Sequence, residues 1–490
     1  MWTKPHTLSA GQTARLLGRW QRQNATYIDL ATSIRVLIED GRLPIDTRIP
    51  AERVLAAQCG ISRNSVSAAY RLLREQGYLR SHRGAGSFIT LPETPHRNWT
   101  VSWAPAETHA GVIDLGVAMV PAPEPALTEA VQKAAVDLID YSDKGGYDLV
   151  GIPALRNAIA AHYTRRGLPT TADEIMVTVG AHHAWGLLLR LLMGRQRRVL
   201  VDSPTYPNAV EAIRSIGGQP MSIGVTNEGW DVDLLASAMR QVRPTLGYLM
   251  TDYHNPIGLS MPEAHRKAIA SAARLSGTYL VVDETLADLS LDGEEPVPSM
   301  ASFGSRSSVI LIGSLSKTCW GGLRLGWLRA APPLIDRLAA MRGSSDAGNP
   351  IFQQLIARNL LTSYGDMLAE RRQMLRGRRD ALVKALHYRL PGWRFRIPSG
   401  GLVLWIDLDT QSSTDLSLHA PKHGVRVLAG SRFGTDGTLD NFLRLPFALD
   451  PATLREGVDR LALAFAEVTG ARLSAGTDPA RHTATTGPQH

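Results

Sequence analysis

Five short apolar runs of strand-like composition alternate with helical segments through the middle of the chain. The runs lie at residues 174–179, 199–201, 246–250, 279–282 and 309–312. This alternation predicts a mostly parallel sheet with helices on both of its faces. Because the ligand site of such a sheet lies at the carboxyl ends of its strands, we expect the residues that follow the runs to form a site.

Side chains with useful chemistry follow these runs. After the first run, Gly180, Ala181 and His182 open an apolar helix, and backbone N–H groups at a helix N-terminus bind phosphate. After the later runs come an aromatic ring, an amide, a carboxylate, two hydroxyls, an amine and a guanidinium, which belong to Tyr206, Asn255, Asp283, Ser314, Ser316, Lys317 and Arg324. Taken singly each feature is weak, because a lysine after a strand is usually a surface residue and Asn-Pro-x-Gly is usually only a turn.

Together these side chains supply what pyridoxal 5'-phosphate requires of a protein. Lys317 follows a buried run, and a lysine amine forms a Schiff base with the cofactor aldehyde. A carboxylate such as Asp283 keeps the pyridine nitrogen protonated and makes the ring an electron sink. Asn255 is expected to bond the ring oxygen. The groups expected to hold the phosphate are the Gly180 turn, Ser314, Ser316 and Arg324.

Residues 114–465 resemble the class I aminotransferases throughout. The matching stretches are YDLVG at 147–151 with LR at 155–156, PTY at 204–206, NPIG at 255–258, SLSK at 314–317, GLRLG at 322–326 and NFLRL at 441–445. The resemblance implies a fold-type I pyridoxal phosphate domain with a smaller α+β subdomain at its C-terminus. It also implies that Tyr206 stacks on the ring, that Tyr147 reaches the phosphate across a dimer interface, and that Arg444 binds a substrate carboxylate. For Arg444 the alternative is an ion pair with a structural acid.

The chain departs from that family beside Asp283. The family has a tyrosine two or three residues after this aspartate, whereas the chain has Thr285 and Leu286 there. A hydrogen-bond donor to the phenolic oxygen of the cofactor is therefore missing, and its loss is expected to change the protonation of the Schiff base. The sequence predicts cofactor binding and leaves open whether transamination is retained.

Positive charge is concentrated near the N-terminus. Residues 1–90 contain 13 Lys and Arg against 6 Asp and Glu, and therefore carry most of the net charge of +8. A small basic module on a nearly neutral body indicates a polyanionic partner, although a solvated basic face has the same composition.

The basic module has the pattern of an α+β winged helix-turn-helix. Its second helix is predicted over residues 51–58 and ends at Gly60, and Ser62 is placed to cap the third helix. The face of the third helix that we expect to be buried consists of Val66, Ala69, Tyr70 and Leu73. A hairpin within residues 78–90 is predicted to form the wing.

The first residues of the third helix are those that reach base edges in the major groove of DNA. Arg63 can bond guanine and Asn64 can bond adenine through two hydrogen bonds each, and Ser65 can bond a base or a phosphate. A three-helix bundle that binds a protein shares the apolar pattern but does not need these polar residues. Further contacts to the duplex are expected from Ser62 beside them, from Arg53 and Arg83 at phosphates, and from the wing at Gly84.

Residues 25–90 resemble the GntR family of bacterial regulators. The matching stretches are IPAER at 49–53, GISRNSV at 60–66, and GYL at 77–79 followed by GAGSF at 84–88. A GntR module joined to an aminotransferase-like body is the architecture of the MocR subfamily. The resemblance implies a homodimer that binds a double-stranded DNA operator and responds to an amino compound or to pyridoxal phosphate. The predicted divisions are the DNA-binding domain at 25–90, a linker at 91–112, the body at 113–470 with subdomains at 113–335 and 336–470, and a disordered tail at 471–490.

Two other functions stay open. One is a working aminotransferase whose DNA-binding module only anchors or autoregulates it, and the other is a DNA-binding dimer whose body binds no cofactor. The apolar stretches are too short to span a bilayer and no apolar signal segment opens the chain, so we expect a cytoplasmic protein without a membrane partner. Cys59 and Cys319 predict neither a disulfide framework nor a metal site.

Overall fold

The computed structural model describes residues 7–18, 26–39, 43, 47–82, 86–90, 111–143, 145–194, 197–304, 308–409, 411–435 and 438–470. These residues include both predicted domains. Most of the predicted linker, the tail at 471–490, and Arg83 and Gly84 of the wing lie outside them.

The N-terminal module is a winged helix-turn-helix. Its described elements are α1 (Ala10–Leu17), α2 (Tyr27–Glu39), α3 (Glu52–Cys59), α4 (Arg63–Glu75), β1 (Leu79–His82) and β2 (Gly86–Ile89). β1 and β2 pair antiparallel, which confirms the hairpin. The sequence analysis does not predict α1, which starts at a capping box formed by Ser9 and Gln12. Leu17 of α1 is buried in the core that the other helices form.

The turn between α3 and α4 forms as the sequence predicts. Gly60 ends α3 in the left-handed region, with φ at 66°, where a residue with a Cβ is strained. The Ser62 hydroxyl caps α4 by accepting a hydrogen bond from the Ser65 amide at 3.0 Å. α4 buries the predicted apolar face, and the Tyr70 hydroxyl donates to the Pro50 carbonyl at 2.9 Å. These contacts fix the N-terminus of α4 against α3.

The body is built on a large, mainly parallel sheet. Its strands and those of the smaller subdomain are β3 (Ile113–Asp114), β4 (Ile175–Thr178), β5 (Arg198–Ser203), β6 (Gln219–Thr226), β7 (Gly229–Trp230), β8 (Leu246–Leu249), β9 (Tyr279–Asp283), β10 (Val309–Ser314), β11 (Gly326–Arg329), β12 (Arg394–Phe395), β13 (Val403–Asp407), β14 (Val425–Arg426), β15 (Leu428–Ala429) and β16 (Phe442–Pro446). Among the described residues, the large sheet has the order β4-β11-β10-β9-β8-β5-β6-β7. Neighbours from β10 to β6 are parallel, whereas β11 and β7 run antiparallel. The five predicted runs are β4, β5, β8, β9 and β10.

Helices surround this sheet and complete the smaller subdomain. They are α5 (Glu124–Asp137), α6 (Pro153–Arg165), α7 (Ala181–Leu192), α8 (Pro207–Ser215), α9 (Val232–Val242), α10 (Glu263–Ser276), α11 (Pro332–Arg342), α12 (Ile351–Thr362), α13 (Tyr364–Arg389), α14 (Ser413–His419) and α15 (Pro451–Thr469). In the smaller subdomain, α13 and α15 pack together and β12, β13, β16 and β15 form an antiparallel sheet. The predicted α/β fold with a smaller α+β subdomain is therefore confirmed.

The body begins with a strand that the smaller subdomain holds. β3 pairs in parallel with β14, so the residues that enter the body are attached to the C-terminal part of the chain. No helix in the described ranges is both long and apolar enough to cross a membrane.

Candidate functional site

The predicted lysine lies where the strands of the large sheet end. Lys317 follows β10, and its Nζ donates to the Ala118 carbonyl at 2.9 Å. Burial of the amine, together with the positive charge of Arg444, lowers the pKa of Lys317 to about 8. With this pKa, about a tenth of the amine is neutral at pH 7 and can act as a nucleophile.

Asp283, the last residue of the neighbouring strand β9, is held by two donors. The Tyr248 hydroxyl donates to its Oδ2 at 2.6 Å, and the Thr285 amide donates to its Oδ1 at 2.9 Å. Asp283 is 5% exposed, and each of its carboxylate oxygens accepts one hydrogen bond. Asp283 is close enough to Lys317 to oppose the lowering of the Lys317 pKa.

The aromatic and amide groups lie beside these two residues. Tyr206 caps α8, its hydroxyl accepts from Asn208 at 3.0 Å, and burial raises its pKa. The exposed His182 ring stands edge-on to Tyr206, with 6.4 Å between the ring centroids. The Asn255 Oδ1 accepts from the Arg444 guanidinium at 3.3 Å.

A turn suited to an anion connects β4 to α7. Gly180 caps α7 with φ at 89°, and the Arg324 guanidinium donates to the preceding Val179 carbonyl at 3.1 Å. A Cβ on Gly180 would lie 3.6 Å from that guanidinium, so a side chain would fill the space between Arg324 and the helix N-terminus. Backbone N–H groups, the positive end of a helix dipole and a guanidinium are the donors that a phosphate takes. The turn therefore fits the phosphate of the predicted cofactor.

A histidine stabilises this turn through a hydrogen bond to its backbone. The Val179 amide donates to His183 Nδ1 at 3.0 Å, and His183 Nε2 lies 2.7 Å from Asp346 Oδ2. Asp346 also accepts from Arg342 at 2.7 Å. His183 must be neutral at Nδ1 to accept the backbone hydrogen bond, and burial lowers its pKa.

The two predicted serines occupy different positions. The buried Ser314 hydroxyl donates to the Leu325 carbonyl at 2.8 Å and accepts from the Ser316 amide at 3.1 Å. Ser314 therefore organises the loop in this structure. Ser316 is half-buried at the surface of the site and is better placed to reach a ligand.

Arg444 of β16 reaches the site from the smaller subdomain. Besides Asn255 it bonds the Gly116 carbonyl, and its guanidinium carbon lies 4.8 Å from the centre of the Phe433 ring. Among the described groups, its buried Nε has no hydrogen-bond partner. The contacts described for Arg444 include no ion pair, although Asp114 is close enough to oppose the lowering of its pKa. Burial and the neighbouring Arg432 lower its pKa to about 10, so it stays charged at neutral pH.

Tyr147 lies apart from this cluster on the surface of the chain. Its side chain is 82% exposed, whereas the other predicted cofactor residues are gathered around the strand ends. Two apolar side chains elsewhere on the body, Val136 and Ile139, are each 74% exposed. An exposed phenol and exposed apolar side chains are compatible with the predicted contact across a dimer interface.

The predicted DNA-binding residues of the third helix lie at the N-terminus of α4. Arg63 and Asn64 occupy its first turn and are exposed, and Arg53 is exposed on α3. The Ser62 and Ser65 hydroxyls lie 2.9 Å apart and take part in the helix cap. The exposed side chains of Arg63 and Asn64 therefore start from a helix end that the Ser62 cap fixes.

The comparisons with known proteins bear on both parts of the chain. A family model described as aminotransferase class I and II matches residues 110–461. The chain belongs to the aminotransferase class I and II family. A model described as bacterial regulatory proteins of the gntR family matches residues 26–89. This member of the aminotransferase class I and II family thus carries a GntR-type DNA-binding module, which is the MocR architecture of transcription regulators.

Relatives of this class I and II family member include both regulators and enzymes. It is 27% identical to the uncharacterized HTH-type transcriptional regulator YisV of Bacillus subtilis, over 80% of this chain and 86% of that protein. It is 29% identical to aromatic-amino-acid aminotransferase 1 of Thermococcus litoralis, over 68% of this chain and 81% of that enzyme. The crystal structure of the α-aminoadipate aminotransferase LysN of Thermus thermophilus, complexed with N-(5'-phosphopyridoxyl)-L-leucine, is 27% identical. It matches with a TM-score of 0.67 over 74% of this chain and 94% of that one.

Three residues that shape this site carry no motif in the sequence. Tyr248 lies inside an apolar run, although its hydroxyl holds Asp283. His183 follows His182 at a helix start and carries no motif, and Ala118 acts through its backbone carbonyl. A tyrosine inside an otherwise aliphatic strand is the one signal that would have pointed to Tyr248, since a buried phenol needs a hydrogen-bond partner.

Proposed function

We propose that this chain is a transcription regulator that binds pyridoxal phosphate at Lys317 and changes its affinity for DNA when an amino compound, or the cofactor itself, binds. The observation that carries the proposal is the arrangement around Lys317. An amine with a pKa near 8, a carboxylate with two donors, and a phosphate-binding turn with its guanidinium belong to the same chain as a GntR-type module.

Each residue has a defined task in this proposal. Pyridoxal phosphate supplies an aldehyde that condenses with amines and a ring that withdraws electrons. Lys317 supplies the amine, and Asp283 accepts a hydrogen bond from the ring nitrogen. Tyr206 offers a face to the ring, and Asn255 offers its amide N–H₂ to the ring oxygen. The phosphate is assigned to the Gly180 turn with Ala181, Ser316 and Arg324, and to Tyr147 of the partner subunit.

The site is connected to the segment through which the chain enters the body. Lys317 donates to the Ala118 carbonyl and Arg444 to the Gly116 carbonyl, and both carbonyls follow β3 directly. A ligand carboxylate at Arg444 competes with the Gly116 carbonyl for the same guanidinium. A ligand bound to the Lys317 amine likewise removes the hydrogen-bond donor of the Ala118 carbonyl. Occupancy of the site would therefore remove hydrogen bonds from the entry segment (residues 113–118) and loosen it. This segment follows the DNA-binding module and the linker in the sequence, so a change in it could reach the module.

A second candidate function is amino transfer with the DNA-binding module in an autoregulatory role. The observation that favours it is Arg444, which presents a charged guanidinium beside Lys317 as a carboxylate-binding group. Against it stand Thr285 and Leu286 in place of the family's tyrosine. Mixing the loaded protein with amino acids distinguishes the two, since only an aminotransferase converts the cofactor to pyridoxamine phosphate.

The direct test is an absorbance spectrum of the purified chain with pyridoxal phosphate, beside a Lys317→Ala variant. We expect a visible band from covalently bound cofactor in the wild type alone. Absence of the band from both proteins would leave a DNA-binding protein without the proposed sensor. An equal band in both proteins would mean that a lysine other than Lys317 holds the cofactor.

A further inference from the structure

We propose that Tyr248 is a positioning residue that holds the Asp283 carboxylate in place to accept a hydrogen bond from the cofactor's ring nitrogen. The inference rests on the proposed binding of pyridoxal phosphate at Lys317. Tyr248 acts through Asp283, which it contacts directly, and has no match in the motifs by which the sequence resembles its family.

The Tyr248 phenol lies against the Asp283 carboxylate, on the neighbouring strand of the sheet. Tyr248 lies on β8, where it pairs with Val281 of the parallel strand β9, two residues before Asp283. Its hydroxyl is 2.6 Å from Asp283 Oδ2, a short distance typical of a hydrogen bond to a charged acceptor. The ring is 1% exposed and packs at 5.1 Å from the Trp185 ring, so its position is fixed by the core.

The direction of this hydrogen bond is also fixed. Burial and the nearby carboxylate of Asp283 raise the pKa of Tyr248 well above its ordinary value, so the phenol keeps its proton and donates. The other titratable groups near the phenol are Tyr206 of α8 and Asp202 of β5. Near Asp283 itself lie Lys317 and His182. Among these, Tyr248 is the neutral group that bonds Oδ2.

The two donors fix the orientation of the carboxylate. Tyr248 holds Oδ2 and the Thr285 amide holds Oδ1, so Asp283 cannot turn without losing a hydrogen bond. Removal of the Tyr248 hydroxyl would release Oδ2 and weaken the hydrogen bond that Asp283 would accept from a protonated ring nitrogen. A ring that holds its proton less firmly would withdraw fewer electrons, and the nitrogen of Lys317 joined to it would titrate at higher pH.

The test compares Tyr248→Phe with Tyr163→Phe in the full chain saturated with pyridoxal phosphate. Tyr163 is a matched control, because its ring is also 1% exposed and its hydroxyl bonds Trp327 Nε1 at 3.0 Å instead of Asp283. The readout is the apparent pKa of the pH-dependent visible absorbance of the bound cofactor, which does not depend on any enzymatic activity.

The expected result is a rise of about half a unit to one unit in Tyr248→Phe and none in Tyr163→Phe. A hydrogen bond to a charged group is worth roughly one pKa unit, and part of the change reaches the lysine nitrogen. An unchanged apparent pKa in Tyr248→Phe, or equal shifts in both variants, would overturn the inference. If the wild type itself shows no visible band, the proposed cofactor site fails and this inference falls with it.

Discussion

The amine of Lys317 has a pKa lowered to about 8, which suits the covalent role that we propose for this residue. Burial is the largest cause of the lowered pKa, and the guanidinium of Arg444 is the second. Asp283 opposes the shift only in part. The amine is therefore prepared for reaction before any ligand binds, which is the behaviour expected of a nucleophilic lysine.

The reactivity of Lys317 should follow its titration. The rate of cofactor capture is expected to rise with pH through about 8, because only the neutral amine attacks an aldehyde. Arg444→Gln removes the neighbouring charge and should move the midpoint to higher pH, whereas Arg190→Gln on the exposed side of α7 should not. Stopped-flow absorbance measures these rates. A midpoint near the ordinary lysine value in the wild type would contradict the assignment.

His183 should make the stability of the fold depend on pH. Burial lowers its pKa from 6.5, so the unfolded chain binds a proton at this residue more readily than the folded chain. The stabilisation from neutral His183 is thus complete above about pH 6.5 and is lost as the pH falls below it. His183→Gln cannot titrate, and the gap in melting temperature between wild type and variant should narrow as the pH falls from 7 to 5. If the difference in melting temperature between wild type and variant does not change with pH, His183 does not stabilise the Gly180 turn.

Residues of the site differ in how far the sequence could predict them. Lys317 and Asp283 are recognisable in the sequence because each comes just after an apolar run. Asp283 is the next residue after its run, and Lys317 follows its run within the SLSK stretch. Their position at the strand ends can therefore be inferred from the local sequence. Tyr248 and Asp283 are 35 positions apart and meet only because β8 and β9 are neighbours in register. The carbonyl of Ala118 carries no side-chain signal at all. These contacts follow from tertiary packing, which a local pattern does not contain.

At the level of elements, the helix-turn-helix was predicted in detail because its signals are local. A glycine in the left-handed region, a serine cap and an apolar face determine α3 and α4 regardless of the rest of the chain. α1 was not predicted, since eight residues form a stable helix only when neighbouring helices bury one face. Leu17 of α1 packs in the same core as the other helices of the module.

The N-terminal turn of α4 should carry sequence-specific DNA recognition. Arg63→Ala is expected to weaken binding by about 5- to 150-fold to a duplex selected from a random pool by the wild-type chain, because a base contact is lost. Arg71→Ala is the matched control on the same helix, since that side chain is 69% exposed beside Glu75 in the last turns. Fluorescence anisotropy measures both affinities. Equal losses of affinity in the two variants would mean that Arg63 contributes only its positive charge and no base contact.

The whole molecule joins a DNA-binding module to a body whose exposed surface suggests a second subunit. The Tyr147 side chain is 82% exposed, and the apolar side chains of Val136 and Ile139 are each 74% exposed. The homodimer is a proposal that explains both features. The sequence resemblance suggested the dimer, while the physical reason for it appears only in the exposed surface of the folded chain.

Mixed dimers test whether Tyr147 serves the partner's site. Tyr147→Phe subunits should bind pyridoxal phosphate weakly, and Lys317→Ala subunits should show no visible band. Heterodimers of the two variants should contain one complete site, because an intact Lys317 then meets an intact Tyr147 from the other subunit. Absorbance titration of the refolded mixture should reveal binding at wild-type affinity. If only weak binding is found, Tyr147 acts within its own chain or not at all.

The proposed sensor requires that occupancy of the Lys317 site changes DNA binding. This can be measured as the affinity of the full chain for a selected duplex, with and without pyridoxal phosphate and then with a panel of amines added. We expect a change of about fivefold or more in the wild type and none in Lys317→Ala. If the affinity of the wild type stays the same under all these conditions, the body is not a sensor for the DNA-binding module.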